Sequence, residues 1–304
     1  MLYPSFDELV ALKHKASQLL FSSDQKVSSI AGGNFRSPFR GQGLDLEEVR
    51  EYAPGDDIRA IDWRVTARTG KAHTKIFRED RERSVILCLD VNETMRFGTR
   101  GTFKSIQAAR IAALLGWKAY MNHDKLGFCF FGDVPSEIEF FKPQRSRKTL
   151  WKMFQKLCHP DLNEGPSFLP MEEMLTNISH ALPTGVLVYI MSDFSSMNPA
   201  LEKQLTLLRK RCDVVLIPID DPADRFIPPI GPLFFSKDGK NKIYINTENK
   251  AGREAYTDQW QQTRESLQKL ASKLKIPIIP IATNANMVSE LFLGLKKIHK
   301  MRRR

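Results

Sequence analysis

The stretch Ser84–Met95, SVILCLDVNETM, constrains the fold more than any other. Val85, Ile86, Leu87, Cys88 and Leu89 form an unbroken apolar run, and an acid follows at once. A short run without polar alternation suits a strand buried on both faces, as in a parallel sheet covered by helices. Asp90 then stands at the carboxyl end of that strand, the end where open α/β sheets bind ligands. Asp90, Asn92 and Thr94 alternate along the following turn. Each presents oxygen, the ligand type that Mg²⁺ prefers.

Downstream, strand-like and helix-like segments alternate. Strands are expected at Ser84–Leu89, Lys125–Phe131, Glu137–Phe141, Gly185–Met191, Val214–Ile219 and Ile276–Ile281. Helices are expected at Thr102–Met121, Ser146–Leu157, Pro170–Leu182, Asn198–Arg211, Ala255–Leu274 and Met287–His299. Met171, Met174, Leu175 and Ile178 show the spacing of one buried helix face. This alternation predicts an α/β fold: a three-layer, doubly wound, mainly parallel sheet.

Upstream, Ser5–Phe21 reads as a helix that Ser5 or Asp7 can cap. Ser22–Arg40 reads as a loop, and the turn signals Pro54-Gly55-Asp56-Asp57 and Thr69-Gly70-Lys71 divide the next region into short hairpin-like strands. Arg59, Asp62, Arg64 and Arg68 alternate with Ile61, Trp63 and Val65, which predicts a strand with one wet face and ion pairs tying it to the core. The expected organisation is an N-terminal helix and small β-rich appendage over 1–83, an α/β domain over 84–295 and a basic tail over 296–304.

The 304 residues can bury a sizeable core. The net charge of +11 is concentrated in the tail, KKIHKMRRR, without which 40 basic residues face 35 acidic ones. No apolar run reaches the roughly 18–20 residues of a membrane span, and the N-terminus MLYPSFDELV lacks the pattern of a secretory signal. Cys88, Cys129, Cys158 and Cys212 form no C-x-x-C pair, which argues against a zinc ribbon and for buried thiols in a reducing compartment. A cytoplasmic location is expected.

Three places combine into a candidate Mg²⁺ site: Asp90, Asn92 and Thr94 after the first strand, Gly165-Pro166-Ser167 before the helix at Pro170, and Asp193 after the strand Gly185–Met191. All should meet at one end of a parallel sheet. The plainer reading is that Asp90 and Asp193 cap turns or helices. Gly98–Ser105 superficially resembles a phosphate loop, but Gly101 is not adjacent to Lys104, as the motif requires. The histidines are scattered without H-E-x-x-H, and G-x-S-x-G is absent, so catalysis has little support. The basic tail offers contact with nucleic acid or with an anionic membrane surface, though a solvated terminus is the commoner outcome for so short a run.

The chain resembles von Willebrand factor type A-like proteins, whose metal-ion-dependent adhesion site uses a D-x-S-x-S turn, a Thr and a later Asp. More closely, it is similar to the bacterial family called domain of unknown function 58. Arg50-x-Tyr52, the string from Pro54 through Gly55, Asp56, Asp57, Ile58, Arg59, Ala60 and Ile61 to Asp62 and Trp63, then Ala67-Arg68-Thr69-Gly70, Asp90 and Ser192-Asp193-Phe194 carry this resemblance. It implies a metal set of Asp90, Asn92, Thr94, Ser167 and Asp193. Asn92 and Thr94 stand at the two Ser positions of the motif and Ser167 at the Thr position, so the site is degenerate and its Mg²⁺ binding weak. The resemblance further implies a non-enzymatic protein–protein interaction module, partnered by a MoxR-type AAA+ ATPase and other von Willebrand A-like proteins. The alternatives are a nucleic-acid or anionic-surface binder driven by basic charge, and a metal-dependent hydrolase.

Overall fold

The computed structural model describes residues 3–20, 44–79, 83–134, 140–159, 167–195, 197–236 and 242–302. The expected loop over 22–40, the pair Gly165-Pro166, the first residues of the Glu137–Phe141 strand and the last two arginines lie outside these. In chain order the elements are α1 (Phe6–Ala11), α2 (Lys13–Leu20), β1 (Leu44–Glu51), α3 (Trp63–Thr69), β2 (His73–Glu79), β3 (Ser84–Asp90), α4 (Lys104–Met121), β4 (Lys125–Val134), β5 (Phe140–Gln144) and α5 (Arg147–Leu157). There follow β6 (Ser167–Leu169), α6 (Met171–Ala181), β7 (Leu187–Ser192), α7 (Pro199–Arg211), β8 (Asp213–Asp220), α8 (Pro222–Arg225), β9 (Pro232–Ser236), β10 (Lys242–Asn246), α9 (Lys250–Leu274), β11 (Ile281–Ala282) and α10 (Met287–Arg302).

The chain divides into two compact units, Met1–Ser28 with Arg83–Arg304, and Ser29–Glu82. In the larger unit the strands run β11-β8-β7-β3-β4-β5, with β6 also pairing β4. β3 lies parallel to both β4 and β7, and β8 is parallel to β7 and β11. β5 and β6 are antiparallel to β4. The chain moves outward from β3 to β4 through α4, then returns to the other side of β3 as β7 and moves outward again through α7 to β8. Right-handed crossovers in opposite directions place their helices on opposite faces, giving three layers. The sheet therefore reverses direction between β3 and β7, at the topological switch point.

α4 is the central helix of its layer and is buried on nearly every side, with Ile106, Ile111, Leu114 and Trp117 among the residues covered. It packs on α1, α2, α5 and α10. At Gly116 a Cβ would stand 2.7 Å from Leu150 Cδ1, so the glycine permits the close approach of α5. Trp117 packs edge-on to Trp151, and its indole N–H donates to the Leu9 carbonyl at 3.0 Å. Ser5 caps α1, accepting from the Glu8 amide, as expected. With Leu9, Leu12, Ala16 and Leu19 buried in the main core, the N-terminal helices belong to the α/β unit rather than to the appendage.

The smaller unit pairs β1 with β2 antiparallel. Its centre departs from the expected strand: Trp63–Thr69 is helical. Asp62 caps this helix by accepting from the Arg64 and Val65 amides, and Gly70 ends it in the left-handed region at φ 72°. Two strong helix-terminating residues outweigh a period-two pattern over so few positions. Among the described residues, the ion pairs Arg50–Asp56, Lys71–Glu51 and Lys75–Asp62 join residues of this unit to one another.

Two further differences have simple causes. The strand expected at Ile276–Ile281 shrinks to Ile281–Ala282 plus a bridge at Ile278, because Pro277 and Pro280 remove ladder donors. The tail expected from residue 296 instead continues α10 through Arg302, and Ile298 is buried. Among the described residues, no helix is long and apolar enough to cross a membrane.

Leu9 is fully buried between α4 and its neighbours. Leu9→Ala should lower the stability of this unit by about 2–5 kcal/mol. Urea unfolding should show a lower midpoint at an unchanged slope. A midpoint equal to the parent's would mean that the N-terminal helices are peripheral.

Candidate functional site at the sheet switch point

β3 ends in Asp90 and β7 ends in Ser192, with Asp193 next; the two strands are adjacent and in parallel register. Both carboxylates are buried at the carboxyl end of the sheet, Asp90 at 5% exposure and Asp193 at 4%. The chain aims them through local turns. Asp90 Oδ1 accepts from the Asn92 amide at 2.9 Å, and Asp193 Oδ1 accepts from the Ser195 amide at 3.0 Å. Such side-chain-to-backbone bonds two residues on are typical of Asp and Ser in turns. Ser192 joins the two strand ends: its hydroxyl donates to Asp90 Oδ2 at 2.5 Å and accepts from the Phe194 amide at 3.0 Å. Phe194 holds φ 48°, an uncommon conformation for a bulky residue, and is fully packed away.

Space for the Asp90 turn comes from β4. At Gly132, φ is 97°, and a Cβ would stand 2.7 Å from the Asn92 amide nitrogen and 3.0 Å from Asp90 Oδ1. The glycine thus supplies both the left-handed backbone and the clearance. β4 then continues to Asp133, whose carboxylate accepts from the Glu93 amide at 2.8 Å, and to Val134, which pairs Ser167 of β6.

Asp90, Asn92 and Asp193 thus gather at the switch point, and Ser167 lies at the same end of the sheet. Thr94 and Ser167 are both exposed. Among the described residues, no hydrogen bond joins either to Asp90 or Asp193.

The sequence reading missed the groups that complete the cluster. Lys104, the first residue of α4, is 3% exposed; its Nζ lies 3.0 Å from Asp193 Oδ2 and 3.1 Å from Asp224 Oδ2. Arg264 of α9 donates through Nη2 to the Asp193 carbonyl at 2.6 Å and pairs with Asp220 at the end of β8. Asp221 is a buried hub: it accepts from the Thr99 amide at 2.9 Å, the Thr99 hydroxyl at 2.5 Å, the Thr283 hydroxyl at 2.6 Å and the Ala223 amide at 2.9 Å. Two signals were available: the acids Asp220, Asp221 and Asp224 around Pro222 after a buried strand, and a lysine opening a helix against its dipole. A cleft of about 220 Å³ opens beside the cluster, lined by Lys104, Asp193, Asp224, Tyr256, Trp260 and Arg264.

Burial, reinforced by the negative charge of Asp193, pushes the Asp90 carboxyl up to about 7, against the hydrogen bonds from Ser192 and Asn92. Burial also pushes Asp193 up, but the Lys104 ammonium outweighs it and holds that carboxyl below its ordinary value. Lys104 is driven down by burial and up by Asp193 and Asp224, with the net shift upward.

A family model described as "Protein of unknown function DUF58" matches residues 48–266. The chain belongs to this family. An uncharacterised protein of Mycobacterium tuberculosis and one of Mycobacterium bovis are each 34% identical over 103 residues, 34% of this chain and 32% of theirs. The chain thus spans about a third of the length of the curated relatives it matches. Among solved structures, it is similar to the conserved hypothetical protein BatB from Bacteroides thetaiotaomicron, at 14% identity and TM-score 0.45, covering 73% of this chain and all of that one. It is also similar to a von Willebrand factor type A protein from Catenulispora acidiphila, at 10% identity and TM-score 0.38, covering 76% of this chain and 44% of that one.

The residues of the DUF58 chain do not fit Mg²⁺ as they stand. Asp193 already faces an ammonium, and Asp90 has each oxygen engaged by a donor. Among the described residues, no group of three or more His, Cys, Asp or Glu is placed to hold a metal.

Two predictions follow from this packing. Gly132→Ala should cost roughly 1–3 kcal/mol, because the new methyl meets backbone rather than a movable side chain; denaturant unfolding checks it, and parental stability would mean the Asp90 turn has slack. The second concerns pH. Between the ordinary carboxylate value and about 7, the unfolded Asp90 releases a proton that the folded one keeps. Stability should therefore fall as pH rises through this window. Asp90→Asn should flatten that fall in unfolding curves taken across the range; an unchanged slope would show that Asp90 ionises freely in the fold.

Proposed function

We propose that this chain is a non-enzymatic protein–protein interaction module whose partner face is the carboxyl end of the sheet at the β3/β7 switch point. The observation carrying this reading is the cleft beside Asp193, lined by Tyr256, Trp260 and Arg264 as well as by the buried charges. Tyr, Trp and Arg are the residue types that dominate binding energy at protein interfaces. The acids of the cluster are held by backbone amides, hydroxyls, Lys104 and Arg264, an arrangement suited to a shaped, rigid face. The stretch of chain between α8 and α9 carries exposed apolar groups, among them Phe226, Phe234 and Tyr244 at 55%, 64% and 59%. Phe234 and Tyr244 sit opposite one another on β9 and β10 with ring centroids 5.6 Å apart.

The partner in this reading is a MoxR-type AAA+ ATPase, on the strength of the family resemblance, and the setting is cytoplasmic. Binding of the purified chain to the MoxR-type ATPase of the same genome tests it. Tyr256→Ala and Trp260→Ala should each weaken the complex about tenfold or more, with the circular dichroism spectrum preserved. Absence of a complex would reject the named partner, and a complex indifferent to both substitutions would move the interface elsewhere.

A further inference from the structure

Lys104 opens α4, where a positive charge meets the positive end of the helix dipole. It is also, among the described residues, one of the few charged side chains removed from water, at 3% exposure. A lysine survives both penalties only if its surroundings answer the charge. Here they do. Nζ lies 3.0 Å from Asp193 Oδ2, 3.1 Å from Asp224 Oδ2 and 3.3 Å from Asp224 Oδ1, and 5.7 Å from the centre of the Phe97 ring.

The geometry points to Lys104 as the resident cation of this end of the sheet. Its ammonium answers the charge of Asp193, the one fully charged acid of the candidate metal set, and of Asp224 beside it, so the face is organised without a metal. A Mg²⁺ ion needs oxygens at about 2.0–2.1 Å in near-octahedral geometry. To reach Asp193 Oδ2 it must displace the ammonium, leaving a buried lysine beside a second cation with only Asp224 to answer its charge. Oδ1 is already bonded to the Ser195 amide, and both Asp90 oxygens accept hydrogen bonds.

This inference stands apart from the identity of any partner, and its test uses the full chain alone. Thermal unfolding is followed in EDTA and in millimolar Mg²⁺ for the parent, Lys104→Met, Asp193→Asn and the Lys104→Met/Asp193→Asn double variant. The parent Tm should be the same in both buffers. Lys104→Met should lower Tm by roughly 5–15 °C, as expected when one partner of a buried pair is removed. Adding Asp193→Asn to it should recover part of that loss, because the more deeply buried of the two carboxylates left without the ammonium is then gone, while Asp224 remains. Should Lys104→Met not fold, return of a cooperative transition in the double variant is the same result. Three outcomes overturn the inference: a parent Tm that rises with Mg²⁺ and ceases to do so in Asp193→Asn, a Lys104→Met Tm equal to the parent's, or a double variant no better than Lys104→Met.

Discussion

Charge at the end of a wholly buried strand must be answered locally, and the carboxyl end of this sheet is arranged around that requirement. β3 is covered on both faces and flanked on both edges, so Asp90 has no route to bulk water along its own strand. The neighbouring β7 brings a second acid to the same place. Two carboxylates side by side in a low-dielectric setting repel, and desolvation alone would neutralise one of them. The fold divides the roles. Asp193 keeps its charge because Lys104 faces it, while Asp90 is pushed toward its protonated form. Ser192, between them in space, links the two strand ends through its hydroxyl. Much else at this end follows. α4 must begin with its lysine directed inward, β4 must carry glycine at 132, and the turn after β7 must accept a left-handed Phe194.

The layered fold was legible because its signals are dense and local. Apolar runs without alternation marked β3, β7 and β8, and i, i+3, i+4 spacing marked α6. Asp90 and Asp193 were legible for a related reason: an acid at the end of such a run must lie at the carboxyl end of the sheet, whatever the exact topology. Ser167 reached that end too, but through β6, a short strand with no pattern of its own. The five proposed ligands therefore share one end of the sheet, with Asp90 and Asp193 buried and Thr94 and Ser167 exposed.

What could not be read depends on contacts distant in sequence. Lys104 meets Asp224 across more than a hundred residues, and nothing in the neighbourhood of either announces the other. In the glycine-containing stretch before α4, the local sequence presents Lys104 only as a phosphate-loop lysine, which the motif's spacing excludes. The smaller unit misled for the opposite reason. Its alternating charges over Arg59–Arg68 satisfy a strand pattern, yet Asp62 and Gly70 bracket a helix, and capping decided the matter. The prolines at 277 and 280 likewise cut short an apolar run that looked like a full strand.

Asp221 gives the fold a temporal property. Its carboxylate is bonded to Thr99, ahead of α4, and to Thr283, after β11, while neighbouring Asp220 waits for Arg264 of α9. A chain leaving the ribosome can assemble β3, β4 and β7 well before these last groups emerge. Until then, Asp220 lacks Arg264, Asp221 has Thr99 but lacks Thr283, and the cleft lacks its aromatic wall. This end of the sheet is consequently completed only once α9 and Thr283 have been made, and a shape-reading partner would distinguish a chain that has them from one that stops before them.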